Sequence, residues 1–353
     1  RVASGRTVSK AALSSAACMH KGDRTRRHDK EDRVDPVLGV DIAKAKFQTA
    51  LLLPDGKVRH HSWPNTAAGF EQLAAWLARN GVTHVHATLE ATGTYGEALA
   101  TWLHDAGHRV SVVNPTIIHA YARTQLARSK TDRLDADLIA RYTATQQPPA
   151  WTPPAPEIRQ LQALVRRLDA LQGMRTQEAN RLTAGVVVAD VRASIGAMLA
   201  SLDAQIAHVQ ALIRDHLDQH PGLRAQRDLL TTIPGIGEAT AAILIAELFD
   251  KRYTSARQAA AFAGLVPRLT ESGTRRGRSR LSKIGPARLR KALYFPAVTA
   301  LRWNPTIRAL RARLHAAGKQ PMVIVGAAMR KLIHLAYGVL KTGRAYEPTC
   351  AHP

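Results

Sequence analysis

Between Val37 and Val113 the apolar positions come in short runs with single polar interruptions; beyond Pro156 they recur at three- and four-residue intervals. The first texture predicts strands and the second predicts helices. Val37-Leu38-Gly39-Val40-Asp41-Ile42 reads as a buried strand carrying one carboxylate. Phe47 to Leu53 reads as a second strand, Pro54-Asp55-Gly56 as a turn, and Lys57 to Trp63 as the hairpin partner. Asn65-Thr66 caps a helix whose apolar face is Phe70, Leu73 and Leu77. Val82 to Leu89 predicts a strand ending at Glu90, and His108 to Val113 predicts another. Helices starting near Tyr95, Pro115 and Thr131 fill the gaps. This order predicts an α/β layer domain over residues 37–147.

The stretch from Pro148 to Pro156 holds five prolines and reads as a linker. Beyond it, Leu161, Leu164, Leu168 and Leu171 form one apolar seam, and Ile195, Leu199, Leu202, Ile206, Val209 and Ile213 form another. Residues 157–222 are therefore expected to be an antiparallel helical hairpin or a coiled-coil dimer arm. An ordinary helical bundle has the same spacing. His220-Pro221-Gly222 ends the arm, and residues 223–346 form a mainly α C-terminal domain. In it, Pro286–Phe295 and Pro305–His315 read as basic helices, and Met322–Leu340 as a closing core helix. Residues 1–36 and 347–353 read as polar tails, the first without a signal-peptide pattern. No uninterrupted apolar run reaches the roughly 18 residues that span a bilayer, so no membrane partner is expected.

Charge narrows the class of partner. The chain carries 50 Lys and Arg against 27 Asp and Glu, a formal charge of +23. Such an excess points to a polyanion, because neutralising phosphates releases counterions. The imbalance peaks between Gly264 and Arg344, where 18 Lys and Arg face the single acid Glu271. Cys18 and Cys350 form neither a disulfide framework nor a zinc site, in keeping with a reducing cytoplasm.

Four carboxylates stand out by position. Asp41 lies on the first strand and Glu90 at the end of a later one, while Asp132 and Asp135 open a helix at i, i+3 and share a face. Asp137 is turned away from that face. Acids at strand and helix edges repel one another without a cation, and hard oxygen ligands suit Mg²⁺ or Mn²⁺. Such a site supports phosphodiester chemistry.

The blocks Gly39-Val40-Asp41-Ile42-Ala43-Lys44, Leu89-Glu90-Ala91-Thr92-Gly93 and Lys130-Thr131-Asp132-Arg133-Leu134-Asp135-Ala136 resemble the signature blocks of the DEDD transposases of insertion-sequence family one-hundred-and-ten. The resemblance runs from Val37 to Arg344. It implies an RNase H-like (RuvC-like) first domain whose catalytic and metal-binding tetrad is Asp41, Glu90, Asp132 and Asp135.

Two further segments carry candidate chemistry. Leu229 to Ala242 has the pattern of a helix-hairpin-helix, in which Pro234, Gly235 and Gly237 bring backbone amides to phosphate without reading bases. A plain structural turn has the same pattern. Ala263 to Gly285 is a glycine-punctuated loop rich in cations, where Arg268, Arg275, Arg276, Arg278, Arg280 and Lys283 are expected at nucleic acid. Its hydroxyls Ser272, Ser279 and Ser282 all qualify, none has a neighbouring His-Asp pattern to activate it, and most such serines are backbone or phosphate donors. The resemblance selects Ser272, which matches the family's nucleophilic serine.

The resemblance implies a bacterial, cytoplasmic, nucleoid-associated recombinase acting on donor and target DNA under a guide (bridge) RNA. It further implies a dimer or tetramer whose composite sites join the acids of one subunit to the serine of another. Two other readings fit the residues alone: a Holliday-junction-type nuclease using metal-activated water, and a non-catalytic nucleic-acid scaffold.

Overall fold

The computed structural model describes residues 36–91, 93–125, 131–185, 188–249, 253–268 and 280–348, and the backbone at 271–272 and 275–276. Both cysteines, Thr92, Lys130, Arg278 and Ser279 lie outside the described residues. The chain divides into two compact units, the first ending at Pro153 and the second beginning at Pro154.

The first unit is a mixed α/β sheet. Strands β1 (Val37–Ile42), β2 (Lys46–Leu52), β3 (Val58–Pro64), β4 (His86–Glu90) and β5 (Arg109–Val113) lie in the order β3-β2-β1-β4-β5. The β1–β2 and β2–β3 pairs are antiparallel, and the β1–β4 and β4–β5 pairs are parallel. The layout is compatible with an RNase H-like fold. Helices α1 (Ala67–Arg79), α2 (Glu97–Asp105), α3 (Pro115–Thr124) and α4 (Asp132–Gln146) complete the unit.

Strand β1 is buried on both faces, and alternation divides its side chains between them. Leu38, Val40 and Ile42 join the core that includes Phe70, Leu73 and Leu77 of α1 and Leu99 and Leu103 of α2. Val37 packs with Ala50, Ala136 and Ala140 on the α4 side. Gly39 faces α4 too, and it is glycine for lack of room. A Cβ there would stand 2.1 Å from the Ala136 carbonyl oxygen and 2.4 Å from the Ala140 nitrogen.

Two expectations shift by a few residues. Val82 is buried, but its N–H donates to Leu77 O at the end of α1, so β4 starts only at His86. The proline-rich segment belongs in part to the sheet. Trp151 N–H donates to Val110 O (2.7 Å), Ser111 Oγ donates to Pro149 O (2.9 Å), and the Trp151 ring packs on the core.

The second unit is largely helical. Helices α5 (Pro156–Thr183) and α6 (Ala189–Gln219), roughly 42 and 46 Å long by their residue counts, form an antiparallel pair. His216 meets Glu157 O near one end, and Arg175 pairs with Asp203 further along. Leu161, Val165, Leu168 and Leu171 meet Leu202, Val209 and Ile213 in a core continuous with α7 (Pro221–Thr231), α8 (Glu238–Glu247), α9 (Ala256–Phe262), α10 (Ala287–Trp303) and α12 (Pro321–Thr342). Helix α11 (Pro305–Ala316) contributes Ile307.

Two elements differ from the sequence expectation. Helix α10 does not stop at Phe295 but runs through Pro296, because Leu293, Ala297 and Ala300 stay buried on one face and outweigh the lost backbone bond. The serine loop is not irregular. It forms two short antiparallel pairs, β6 (Pro267–Arg268) with β9 (Arg280–Leu281) and β7 (Glu271–Ser272) with β8 (Arg275–Arg276). Helix α12 is long and apolar enough to cross a membrane by length and composition. Its apolar side, including Leu332, Ile333 and Ala336, lies in the unit's core.

Candidate active site and nucleic-acid interface

The parallel β1–β4 register ends at Val40 opposite Leu89, so the next residues, Asp41 and Glu90, leave adjacent strands at the same level. Asp41 lies two positions past Gly39 and Glu90 two past Thr88, its register partner, so both acids face the α4 side. Strand neighbours stand about 4.8 Å apart. Helix α4 runs antiparallel to β1. Its later residue Ala144 packs near Leu52, at the start of β1, while Asp132 reaches Lys46, level with its end (3.4 Å). The first turn of α4, with Asp132 and Asp135, therefore meets the strand edge that carries Asp41 and Glu90.

The helix start is fixed locally. Thr131 Oγ1 accepts from Leu134 N–H (3.3 Å), so Thr131 is the cap and Asp132 is left for other work. Asp137 accepts from Arg141 Nε (3.0 Å) and meets His60 of β3 (3.6 Å), away from the edge, as its spacing implies. His60 also meets Arg133 (3.3 Å), so one imidazole touches the first turn of α4 and the residue Asp137 beyond it. Burial, then the neighbouring Arg133 cation, hold the His60 pKa below its usual value.

Four carboxylates supply the hard oxygen donors that a divalent cation requires. Their arrangement is open: among the described residues, no three His, Cys, Asp or Glu side chains are gathered closely enough to hold a metal ion. Lys46 sits on Asp132 instead, as an exposed ion pair worth little in water.

The serine segment is organised from its base. Gly264 has φ +70° and Gly285 φ +135°, and a Cβ on Gly285 would lie 2.0 Å from Phe262 O. Arg290 Nη1 donates to Gly285 O (2.8 Å) and, at 3.3 Å, to Ala263 O and Pro286 O, stapling both ends of the excursion. Arg268 and Arg280 are exposed register partners on β6 and β9. Like charges directly opposite destabilise a ladder, so this pair is suited to an anion. Ser272 is the register partner of Arg275, and Glu271 of Arg276. The side chains of these four residues lie outside the described ones. Ser282 Oγ accepts from Ile284 N–H (3.2 Å), a local turn role. Lys283 is exposed and left-handed, with φ +54°.

The α7–α8 turn separates its glycines by task. Gly235 has φ +108°, and a Cβ there would lie 2.8 Å from both Pro296 O and the Ala300 side chain. Pro234 O accepts from Asn304 Nδ2 (3.2 Å). Both are occupied internally. Gly237 is exposed at the start of α8, with nothing near its Cβ position and no side-chain cap on the helix. An exposed, uncapped helix start of this kind suits backbone amides to a phosphate.

A family model described as Transposase, for the DEDD transposases of IS110 type, matches residues 38–188, and one described as Transposase IS116/IS110/IS902 family matches residues 227–312. The pilin gene-inverting protein of Moraxella bovis is 32% identical over 320 residues, covering 88% of this chain and 97% of its own. The chain belongs to the IS110 family of transposases. The Moraxella lacunata pilin gene-inverting protein is equally similar, at 32% over 320 residues. The transposase for insertion sequence element IS1328 of Yersinia enterocolitica is 27% identical over 220 residues, 55% of this chain and 65% of its own. The chain is thus a DNA transposase/recombinase.

In this IS110-family transposase the first matched segment contains Asp41, Glu90, Asp132 and Asp135, and the second contains Ser272. Sequence reasoning missed Lys46, His60 and Arg290. Each acts on a residue distant in the chain, and only the folded pairing of strands and helices brings the partners together.

Proposed function

We propose that this transposase is a divalent-metal-dependent, RNA-guided recombinase that breaks DNA with Ser272. The observation that carries the reading is the shared register of Asp41 and Glu90 facing the first turn of α4. Asp41, Glu90, Asp132 and Asp135 would hold the metal. Bound Mg²⁺ or Mn²⁺ supplies Lewis-acid polarisation of the scissile phosphate. His60 and the Thr131 cap keep the α4 turn in place while Lys46 yields Asp132.

Ser272 Oγ attacks phosphorus and gives its proton to solvent, and the departing sugar oxygen takes up a proton to leave as a hydroxyl, so that a phosphoserine ester replaces the bond to it. Attack on that ester by the hydroxyl of a new DNA end restores the serine and joins the strands. Arg275, Arg276 and Arg278 neutralise charge on the phosphoryl oxygens, while Arg268, Arg280, Lys283 and the α8 amides at Gly237 hold backbone phosphate. The relatives named as pilin gene-inverting proteins support site-specific exchange. The partners are donor DNA, target DNA and a bridge RNA. The active form is a homo-oligomer, a dimer or tetramer, working on the nucleoid in the bacterial cytoplasm.

Reconstitution tests this reading. Purified protein is incubated with RNA transcribed from its element's flank, donor DNA and target DNA, in Mg²⁺ or in EDTA. Recombinant junctions are expected only with RNA and metal together. Junctions formed in EDTA contradict the metal site, and junctions formed without RNA contradict the guide.

A further inference from the structure

The outer face of α10 carries an apolar stripe that the fold does not use. Phe295, Val298, Thr299, Arg302 and Trp303 recur in helical register and all are exposed. Phe295 is 74% exposed and Trp303 63%. The helix packs through a separate face, formed by Leu289, Leu293, Ala297 and Ala300. Scattered exposed apolar residues are ordinary, but a stripe of aromatic rings interleaved with cations marks a contact surface. The Arg302 guanidinium lies 5.0 Å from the centre of the Trp303 ring. Phe295 and Trp303 are two helical turns apart, about 12 Å along the axis.

The adjoining helix carries a basic groove, whose α10 wall is Leu301 rather than a residue of the stripe. Asn304 ends α10 and caps α11, its Oδ1 accepting from Ile307 N–H. A groove of about 620 Å³ opens there, lined by Leu301, Pro305, Arg308, Arg311 and His315 among others. From Ala287 to Tyr346 the sequence contains no acid. Among the described residues, Arg302, Arg308 and Arg311 pair with no carboxylate, whereas Arg288 and Lys291 are engaged by Asp169.

An apolar partner would account for the rings and leave the cations unexplained. Duplex DNA would account for the cations but offers no free base faces. An unpaired strand supplies both, since any exposed base stacks and every nucleotide carries a phosphate. Where strand exchange swaps single strands between two duplexes, a strand leaving one partner is unpaired before it joins the other. We propose that the outer face of α10 and the adjoining α11 groove hold this unpaired DNA, with bases on Phe295 and Trp303 and phosphates on Arg302, Arg308 and Arg311. The proposal rests on strand exchange and is independent of the metal and Ser272 assignments.

The test is fluorescence anisotropy of the full chain in EDTA, with a labelled 20-nucleotide oligo-dT (on the order of one to a few site sizes) and a duplex of equal length. Trp303→Ala and Phe295→Ala should each weaken single-strand binding roughly tenfold. Duplex affinity and the melting temperature should stay at wild-type values, and Trp303→Phe should retain most of the binding. Replacing both Arg308 and Arg311 by Ala should reduce the single-strand salt slope by about 1.4. Unchanged oligo-dT affinity in both ring variants overturns the proposal. So does a loss seen with a labelled oligo-U of equal length but not with oligo-dT, or loss of self-association with oligo-dT binding intact, which would assign the face to a second copy. Because metal is absent throughout, failure of the catalytic reading leaves this measurement unaffected.

Discussion

In the first unit, Asp41 and Glu90 end two central parallel strands, and Asp132 and Asp135 open a capped helix pressed onto one of them. In the second, Ser272 lies on a two-residue strand carried by an excursion whose order comes from its base, at Gly264, Gly285 and Arg290. Two of the acids are thus positioned by a buried strand ladder and two by the first turn of a capped helix. The serine is positioned from a distance, by a glycine crossing and one guanidinium. On the proposed reading, the cation ligands gain fixed mutual spacing from these elements, and the serine is supported from the base of its segment.

Removing one acid should have the largest effect. Asp41→Asn and Asp135→Asn should each abolish DNA cleavage, leave the melting temperature near wild type, and weaken Mn²⁺ binding measured by calorimetry. Cleavage at the wild-type rate in either variant would return these acids to a structural role.

The glycines sharpen the contrast. Gly39→Ala places a methyl against backbone atoms of α4 that cannot swing aside, so it should cost about 1–3 kcal/mol of stability and displace the acid-bearing turn. A displacement near 1 Å is enough for a loss of roughly 100-fold in recombination. Gly285→Ala is strained by its φ of +135° and by Phe262 O, and should cut recombination while leaving Mn²⁺ affinity unchanged. If both variants alter metal affinity equally, the two sites are not separately supported.

A smaller effect is expected from pH. Burial first, with neighbouring cations or imidazoles second, holds His60, His108 and His334 below the usual histidine pKa. The unfolded chain then takes up protons that the folded chain resists. Their contribution is therefore complete above about pH 6.5 and declines as pH falls through the folded values. The melting temperature should drop by a few degrees between about pH 7.5 and 5.5, and His108→Gln or His334→Gln should flatten that slope. A melting temperature that rises on acidification contradicts the assignment.

Much of the first unit was legible because its information is local. Alternation in Val37–Ile42, the Thr131 cap and the i, i+3 spacing of Asp132 and Asp135 all act over a few residues. The second unit was less so. Pro296 suggests a helix end, yet the buried face around it carries α10 onward. Pro234 and Gly235 read as phosphate contacts, yet Asn304 and α10 occupy them and leave Gly237 open. The strand pairs around Ser272 are too short to show as alternation. Arg290 looked like one more cation in a basic run until its three carbonyl partners fixed its role.

Trapping the covalent intermediate tests the division of labour most directly. Wild type, Ser272→Ala, Ser279→Ala and Ser282→Ala are incubated with labelled DNA, guide RNA and Mg²⁺, quenched in denaturant and resolved by size. Wild type and the Ser279 and Ser282 variants should carry labelled DNA on the protein. Ser272→Ala should bind DNA and RNA normally yet carry none. An adduct on Ser272→Ala would assign the chemistry to another hydroxyl, and cleavage by wild type with no adduct at all would mean that water, not serine, breaks the strand.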